Sequence, residues 1–157
     1  LHGGANQKVI LMLEEMGSKD NAKAWLEERL SKKQVVWGMG HREYSTKDPR
    51  ANILTEMVKD LFKEQSGKVS DMFEKAMELE KACEEKLAKK GVYANVDFYS
   101  GILYKEIGIP VDLFTPIFAI SRTSGWLAHW IEQVSNNKIF RPTQIYTGKD
   151  FRDYPVR

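Results

Sequence analysis

Hydrophobic residues recur at helical spacing along most of this chain of 157 residues. Near the start they lie at Val9, Ile10, Leu13 and Met16, and Gly17 follows. Spacings of three and four residues place apolar side chains on one face of an α-helix, and a glycine directly after such a stripe commonly ends the helix. No internal repeat or low-complexity linker interrupts the pattern. The sequence therefore predicts a multi-helical, all-α fold.

The same periodicity predicts the other helices. The predicted segments are 18–30, 51–65, 70–90, 95–108 and 115–134, followed by an extended tail. In the most charged of these segments, we expect Phe73, Met77 and Leu87 to face inward and the Glu/Lys run to face solvent. The last segment is apolar on several faces, which is typical of a helix central to a core or to an interface.

Charge and cysteine content exclude several classes of protein. The 24 Lys and Arg residues nearly balance the 22 Asp and Glu residues, whereas a dedicated nucleic-acid binder usually has a strong basic excess. No apolar run approaches the ~20 residues of a membrane-spanning helix, and no secretory signal is visible. Cys83 is the only cysteine, so it can form no internal disulfide, and no zinc-type cluster accompanies it. We therefore expect a cytoplasmic protein without nucleic-acid or membrane partners.

The stretch from Trp37 to Arg50 concentrates groups that handle protons and anions. Gly38 and Gly40 let the backbone bend and come close to something bulky. His41 follows at once, and a histidine can polarise or protonate a carbonyl near neutral pH. Arg50 comes directly after a proline, and its guanidinium is a rigid two-pronged donor for carboxylates. These residues indicate a binding site, but a hairpin with a surface histidine and a salt-bridged arginine has the same pattern.

Asp97 is a second candidate. It follows the predicted helix cap Asn95 by two residues, so it lies in the first turn of that helix. The positive end of the helix dipole favours the ionised carboxylate there. Standing alone, such a residue is most simply a capping carboxylate, and a chemical role depends on what surrounds it.

Four segments, taken in order, resemble the citrate synthase family. They are Leu1-His2-Gly3-Gly4-Ala5-Asn6, the Gly38 to Arg50 stretch, Asn95-Val96-Asp97-Phe98-Tyr99-Ser100-Gly101, and Leu113-Phe114-Thr115-Pro116-Ile117-Phe118-Ala119-Ile120-Ser121-Arg122. The resemblance implies the C-terminal part of a family member, with a small, CoA-binding domain over 1–108. It also implies that 109–157 contributes the closing helix of the large domain, whose N-terminal remainder lies outside this sequence. A chain that starts at Leu1 rather than at a methionine fits that expectation.

The resemblance implies an enzyme that condenses acetyl-CoA with oxaloacetate to give citrate and CoA. The reaction passes through an enol and through hydrolysis of citryl-CoA, and it needs no cofactor or metal because the CoA thioester is a substrate. Asp97 matches the family's base. His2 matches the histidine that donates to the thioester oxygen, and His41 matches the one that polarises the ketone of oxaloacetate. General acid–base help of this kind is typically worth ~10²–10⁴-fold in rate.

Three arginines match the family's ligands for the carboxylates of oxaloacetate: Arg50, Arg122 and Arg141. The resemblance implies that Arg141 reaches the partner subunit's site, which requires a homodimer. Beside Arg122, the apolar residues Ile120, Trp126 and Leu127 favour a buried, paired guanidinium over one that reaches for solvent.

The CoA-binding part of the resemblance is less complete. It assigns CoA contacts to Val36, Trp37, Gly38, Met39, Gly40, Arg42 and Lys47. Many relatives carry Lys or Arg where this chain has Ser45, and Glu43 replaces a usual aliphatic residue. Our hypothesis is that Arg42 or Lys47 takes over the contact with a CoA phosphate.

Two other functions stay open at this point. A 2-methylcitrate synthase keeps the same catalytic groups but uses propionyl-CoA, and one methylene shifts selectivity by only ~1–3 kcal/mol. A catalytically silent helical module that binds CoA or a partner is compatible with Glu43 and Ser45, but it has no need of the base Asp97. Because the expected large domain lies outside the sequence, we expect the 157 residues alone to be inactive and to expose the apolar faces of 117–134.

Overall fold

The computed structural model describes residues 4–65, 68–139, 141–149, 151 and 153. Within these ranges the α-helices are α1 (Ala5–Met16), α2 (Ala22–Ser31), α3 (Pro49–Gln65), α4 (Asp71–Leu87), α5 (Val96–Glu106) and α6 (Phe114–Ser135). Short 3-10 turns lie at Lys19–Asn21, Ala88–Lys90 and Val111–Leu113. The described residues contain no β-strand and one isolated antiparallel bridge, between Met39 and Ala94. The all-α prediction is confirmed.

Polar side chains fix where several helices begin. Ser70 accepts a hydrogen bond from the backbone N–H of Phe73 at 3.2 Å, which starts α4. Asn95 accepts one from the N–H of Asp97 at 2.9 Å and starts α5. These bonds satisfy N–H groups that have no partner within the helix, so the two predicted starts are confirmed.

The core lies between α1, α3, α4 and α5, with α5 at its centre. Phe98 and Tyr99 of α5 are fully buried and their rings meet edge to face, 5.2 Å between centroids. Phe73 of α4 packs against Tyr99 at 6.1 Å. Burying each such side chain contributes on the order of 1.5–3 kcal/mol. Where α1 and α5 cross, a Cβ on Gly101 would lie 2.6 Å from a backbone oxygen of α1, so the close approach requires a glycine.

Helix α4 departs from the prediction at one position. Phe73 and Leu87 are buried as expected, but Met77 is 43% exposed, so its predicted inward orientation is wrong. The buried stripe of α4 runs through Phe73, Ala76, Leu79, Cys83 and Leu87. Met77 lies at the edge of that stripe, where helical spacing alone does not decide burial. Burial raises the pKa of the Cys83 thiol to about 12, in agreement with an unreactive structural cysteine.

The chain divides into two compact units, and the boundary in the sequence falls between Arg122 and Thr123 of α6. The second unit contains the rest of α6, and the described residues that follow Ser135 have exposed side chains. In this chain Trp126 and Trp130 of α6 are 59% and 63% exposed, so the helix is not central to its core. The other predicted alternative, a helix central to an interface, stays a prediction. Neither α6 nor any other helix in the described ranges is long and apolar enough to cross a membrane.

Candidate functional site

A cavity of about 340 Å³ brings together most of the predicted catalytic and oxaloacetate-binding groups. It opens in the first unit, where the segment after Gly40 meets the first turn of α5 and the beginning of α6. Its lining residues are Gly40, His41, Arg42, Arg50, Asn95, Val96, Asp97, Phe118 and Arg122. A surface groove beside the Lys19–Glu74 ion pair is larger, about 450 Å³, but none of the predicted site residues lines it. Convergence of chemical groups therefore identifies the site better than volume does.

The loop that carries His41 is docked onto the residues that lead into α5. The N–H of Gly40 donates to the carbonyl of Tyr93 at 2.7 Å, and the side-chain amide of Asn95 donates to the carbonyl of Gly40 at 2.7 Å. At the far end of the loop, the N–H of Asp48 donates to the carbonyl of Ala94 at 3.2 Å. Both ends of the loop are therefore fixed beside the helix that carries Asp97.

Gly38 permits this docking. Its φ is +78°, a left-handed conformation that L side chains rarely adopt. A Cβ at this position would also lie 2.9 Å from the Cα of Phe98 in α5. The sequence predicted that the glycines approach something bulky, and the structure shows that Gly38 approaches a core residue of the same chain.

His41 is held in one tautomer by its own loop. Its Nδ1 accepts hydrogen bonds from the backbone N–H groups of Glu43 at 3.0 Å and Tyr44 at 3.2 Å. Its ring stacks on that of Tyr44 with 4.4 Å between centroids. Since Nδ1 acts as the acceptor, the proton of the neutral ring lies on Nε2. The exposed Nε2–H is then a donor suited to a carbonyl oxygen in the cavity.

Arg50 forms a two-pronged ion pair, and its partner is Asp48, which the sequence analysis did not identify. The guanidinium Nε donates to one carboxylate oxygen at 3.0 Å and Nη2 donates to the other at 2.8 Å. Asp48 is only 1% exposed and also accepts from the backbone N–H of Arg50 at 2.9 Å, so it caps α3 as well. The available signal was an aspartate two residues before the arginine, with a proline between them.

The ion pair leaves Arg50 able to bind a second anion. Hydrogen bonds from Arg50 hold the pKa of Asp48 below its usual range, and the same bonds raise the pKa of Arg50, with a smaller contribution from Asp97. Nη1 makes no hydrogen bond to any residue in the described ranges. A surface histidine and a salt-bridged arginine are both present, as the simpler interpretation of this stretch predicted. They line one cavity with Asp97, which that interpretation did not predict.

Asp97 is half-buried in the first turn of α5, as predicted. Arg122, in contrast, is exposed, and its guanidinium lies 4.5 Å above the ring of Phe118. The prediction of a buried Arg122 is wrong because its neighbours Ile120 and Trp126 are themselves exposed in this chain. Stacking on an aromatic face still limits where the guanidinium can point.

The remaining predicted residues lie outside this cavity. His2 precedes the described residues, and Arg141 lies in the second unit with an exposed side chain. Val36 is buried in the core, while Trp37 and Met39 pack against it. Lys47 forms an ion pair with Glu80 at 2.6 Å and lines a different cavity.

Replacing Asp48 by asparagine tests the ion pair through the pH dependence of stability. Asparagine can still cap α3, but it loses the charge-assisted bonds to Arg50, so we expect a loss of about 1–3 kcal/mol near neutral pH. Since the folded state lowers the pKa of Asp48, the wild-type advantage is complete above the usual aspartate range and disappears as pH falls through the native pKa. Urea denaturation of wild type and variant across acid pH measures this. A stability difference that stays constant with pH would contradict it.

Comparisons with known proteins agree with this geometry. Residues 1–143 match the family model of the citrate synthase C-terminal domain. The citrate synthase of Acidithiobacillus ferridurans is 54% identical over 154 residues, covering 98% of this chain and 40% of that protein. That of Synechocystis sp. is 55% identical over 148 residues, covering 94% of this chain and 37% of the relative. This chain thus spans about 40% of the length of the curated relatives it matches.

Solved structures show the same arrangement of helices. Citrate synthase from Thermotoga maritima superposes with a TM-score of 0.80 at 42% identity, over 99% of this chain and 42% of that one. The enzyme from Thermoplasma acidophilum, solved in a ternary complex with carboxymethyl coenzyme A and oxaloacetate, gives 0.82 at 35% identity, over 99% of this chain and 42% of that one. Since sequence, fold and the family model agree over nearly the whole chain, the chain belongs to the citrate synthase family.

Proposed function

We propose that a protein of the relatives' full length containing this chain condenses acetyl-CoA with oxaloacetate to form citrate and CoA. The observation that carries the proposal is one cavity whose lining includes a carboxylate, a histidine and the two arginines predicted to bind oxaloacetate: Asp97, His41, Arg50 and Arg122. Carbon–carbon bond formation between a thioester and a ketone needs a base, a donor to the ketone oxygen and cations for the dianionic acceptor. This combination of groups supports that chemistry.

In the proposed first step, the Asp97 carboxylate removes a proton from the methyl group of acetyl-CoA. His2 donates a hydrogen bond to the thioester oxygen and stabilises the resulting enol. The enol carbon then attacks the ketone carbon of oxaloacetate. The ketone oxygen takes the proton from Nε2 of His41, whose ring the bonds to Nδ1 keep in place. The proton that Asp97 removed from acetyl-CoA then restores the neutral imidazole and the Asp97 carboxylate. Water then hydrolyses the citryl thioester, releasing citrate and CoA, and no cofactor is needed.

Recognition of oxaloacetate is assigned to the arginines. Arg50 offers the edge of its guanidinium that Asp48 does not use, and Arg122 approaches from α6. We propose that Arg141 serves the site of a second subunit, so the active enzyme is a homodimer. The exposed tryptophans of α6 are the surface that the rest of the protein would cover.

The backbone of residues 36–40 is proposed to lie against the adenine of CoA. For the CoA phosphates, the structure supports Arg42 over Lys47. Arg42 lines the site cavity and makes no ion pair within the described ranges, whereas Lys47 is paired with Glu80. An unpaired guanidinium needs to give up no existing partner to bind a phosphate.

Steady-state kinetics on the purified, full-length protein tests the proposal. We expect citrate formation from acetyl-CoA and oxaloacetate, with a lower kcat/KM for propionyl-CoA. The 157 residues expressed alone should form no citrate, because the apolar surface of α6 is then uncovered. A higher kcat/KM for propionyl-CoA would instead identify a 2-methylcitrate synthase, and CoA binding without turnover would identify a silent binding module.

A further inference from the structure

A second cavity, of about 440 Å³, lies next to the segment that carries the proposed catalytic groups. Lys47, Glu80 and Tyr99 line it and form one polar cluster, here called the Glu80 cluster. The Lys47 ammonium pairs with one oxygen of the Glu80 carboxylate at 2.6 Å, and the Tyr99 hydroxyl donates a hydrogen bond to the other oxygen. The cluster thereby joins the His41 loop, α4 and α5 through a single carboxylate.

The Glu80 cluster is better shielded from water than the other ion pairs between helices. The Glu80 side chain is 12% exposed, whereas the glutamates of the Lys19–Glu74 and Lys86–Glu27 pairs are 43% and 58% exposed. Tyr99 is buried, and its burial and the nearby Glu80 charge both raise the pKa of its hydroxyl, so it remains a proton donor. A shielded carboxylate with two partners resists separation from either of them more than an exposed one does.

The positions of these residues in the chain connect the cluster to the site. Tyr99 follows Asp97 by two residues on α5, so the two side chains point to nearly opposite sides of the helix. Asp97 accordingly lines the site cavity and Tyr99 lines the second one. Lys47 directly precedes Asp48, whose carboxylate holds Arg50. One cluster therefore anchors both the helix of the proposed base and the segment of the proposed cations.

The middle of the His41 loop has few other anchors. Residues 42–46 are exposed, and the bonds from the N–H groups of Glu43 and Tyr44 go to His41 within the same loop. A Cβ on Gly91 would lie 3.4 Å from the Cβ of Ser45, so these two residues are close neighbours. Beyond this exposed stretch, two contacts fix the end of the loop: the ion pair from Lys47 to Glu80 and the bond from the N–H of Asp48 to the carbonyl of Ala94.

We propose that Glu80 is a positioning residue for the condensation. Acting through Lys47 and Tyr99, it keeps the segments that carry His41, Arg50 and Asp97 in their positions relative to one another. This inference rests on the proposed function. It also assigns Lys47 a role inside the protein, so that Lys47 does not contact a CoA phosphate. A misplacement of about 1 Å in a catalytic constellation can cost up to about 10²-fold in rate.

The test compares Glu80→Gln, Lys47→Met and the double variant in the full-length enzyme. We expect each single variant to lower kcat about 10-fold, with KM for acetyl-CoA changed by less than about twofold, because positioning is lost but the CoA contacts remain. The double variant should be no slower than the slower single one, since both changes break the same ion pair. Glu84→Gln is the matched control, because Glu84 lines the same cavity from α4 with an exposed side chain.

Hydrogen exchange measured by mass spectrometry gives a readout that does not depend on turnover. Peptides covering 41–48 should exchange faster in Glu80→Gln and Lys47→Met than in wild type, and Glu84→Gln should leave them unchanged. Unchanged exchange, or a raised KM for acetyl-CoA with normal kcat in Lys47→Met, would overturn the positioning role. A wild-type protein that forms no citrate would refute the proposed function instead, and the exchange result would still decide whether Glu80 orders the loop.

Discussion

Asp97→Asn is expected to lower kcat for citrate formation by about 10²–10⁴-fold in the full-length enzyme. Asparagine has nearly the same shape and leaves the Asn95 cap of α5 in place, since that bond uses the backbone N–H of residue 97. It cannot accept the methyl proton of acetyl-CoA, so the enol does not form. Binding of CoA and oxaloacetate should be largely retained, because the variant keeps Arg50, Arg122 and the docked loop.

Steady-state rates together with calorimetric titration of CoA and oxaloacetate measure this. Asp71→Asn is the matched control, because Asp71 also lies in the first turn of a helix but has an exposed side chain outside the cavity. It should keep wild-type kcat. If Asp97→Asn also kept kcat within a few-fold of wild type, Asp97 would be only a helix-capping residue and the proposed mechanism would lose its base.

The helices were predictable from the sequence because their signals are local. The stripe from Val9 to Met16, the Ser70 and Asn95 caps and the glycines after α1 and α4 all act within a few residues of their own position. Local hydrogen bonds and periodicity decide where a helix begins and ends. Burial of a given face depends on what packs against it, which explains why Met77 and Arg122 were wrongly predicted.

The site was predictable to the extent that its residues are close in sequence or match a family motif. The bend at Gly38, the donor His41 and the cation Arg50 occur within one short stretch, so their chemistry could be inferred together. The ion-pair partner of Lys47 could not be inferred from the sequence. Glu80 belongs to a helix distant in the sequence, and only the packing of α4 against the loop brings the two residues together. The hypothesis that Lys47 contacts a CoA phosphate came from its place two residues after Ser45, where the resemblance leads us to expect a Lys or Arg, and it stays a prediction.

Gly38→Ala should be the most destabilising single-methyl change in the His41 segment. An L residue at φ +78° costs on the order of 1–3 kcal/mol, and the new Cβ would lie 2.9 Å from the Cα of Phe98, an overpacking that typically costs a further ~1–3 kcal/mol. The Cα of Phe98 cannot move aside alone, because α5 is packed at the centre of the core. The loop must shift instead, which would also weaken the bond from the N–H of Asn95 to the carbonyl of Gly38, 2.8 Å long in this structure.

Gly17→Ala separates the two costs. Gly17 has nearly the same φ, +77°, but nothing lies within 4 Å of a Cβ there. The loss of stability in Gly17→Ala should therefore come only from placing an L residue at a positive φ. Urea denaturation of the full-length protein should therefore give a larger loss for Gly38→Ala than for Gly17→Ala, and kcat should fall only for Gly38→Ala because its loop carries His41. Equal losses of stability would mean that the loop relaxes freely around the methyl group. The close approach to Phe98 would then not be what fixes the histidine beside α5.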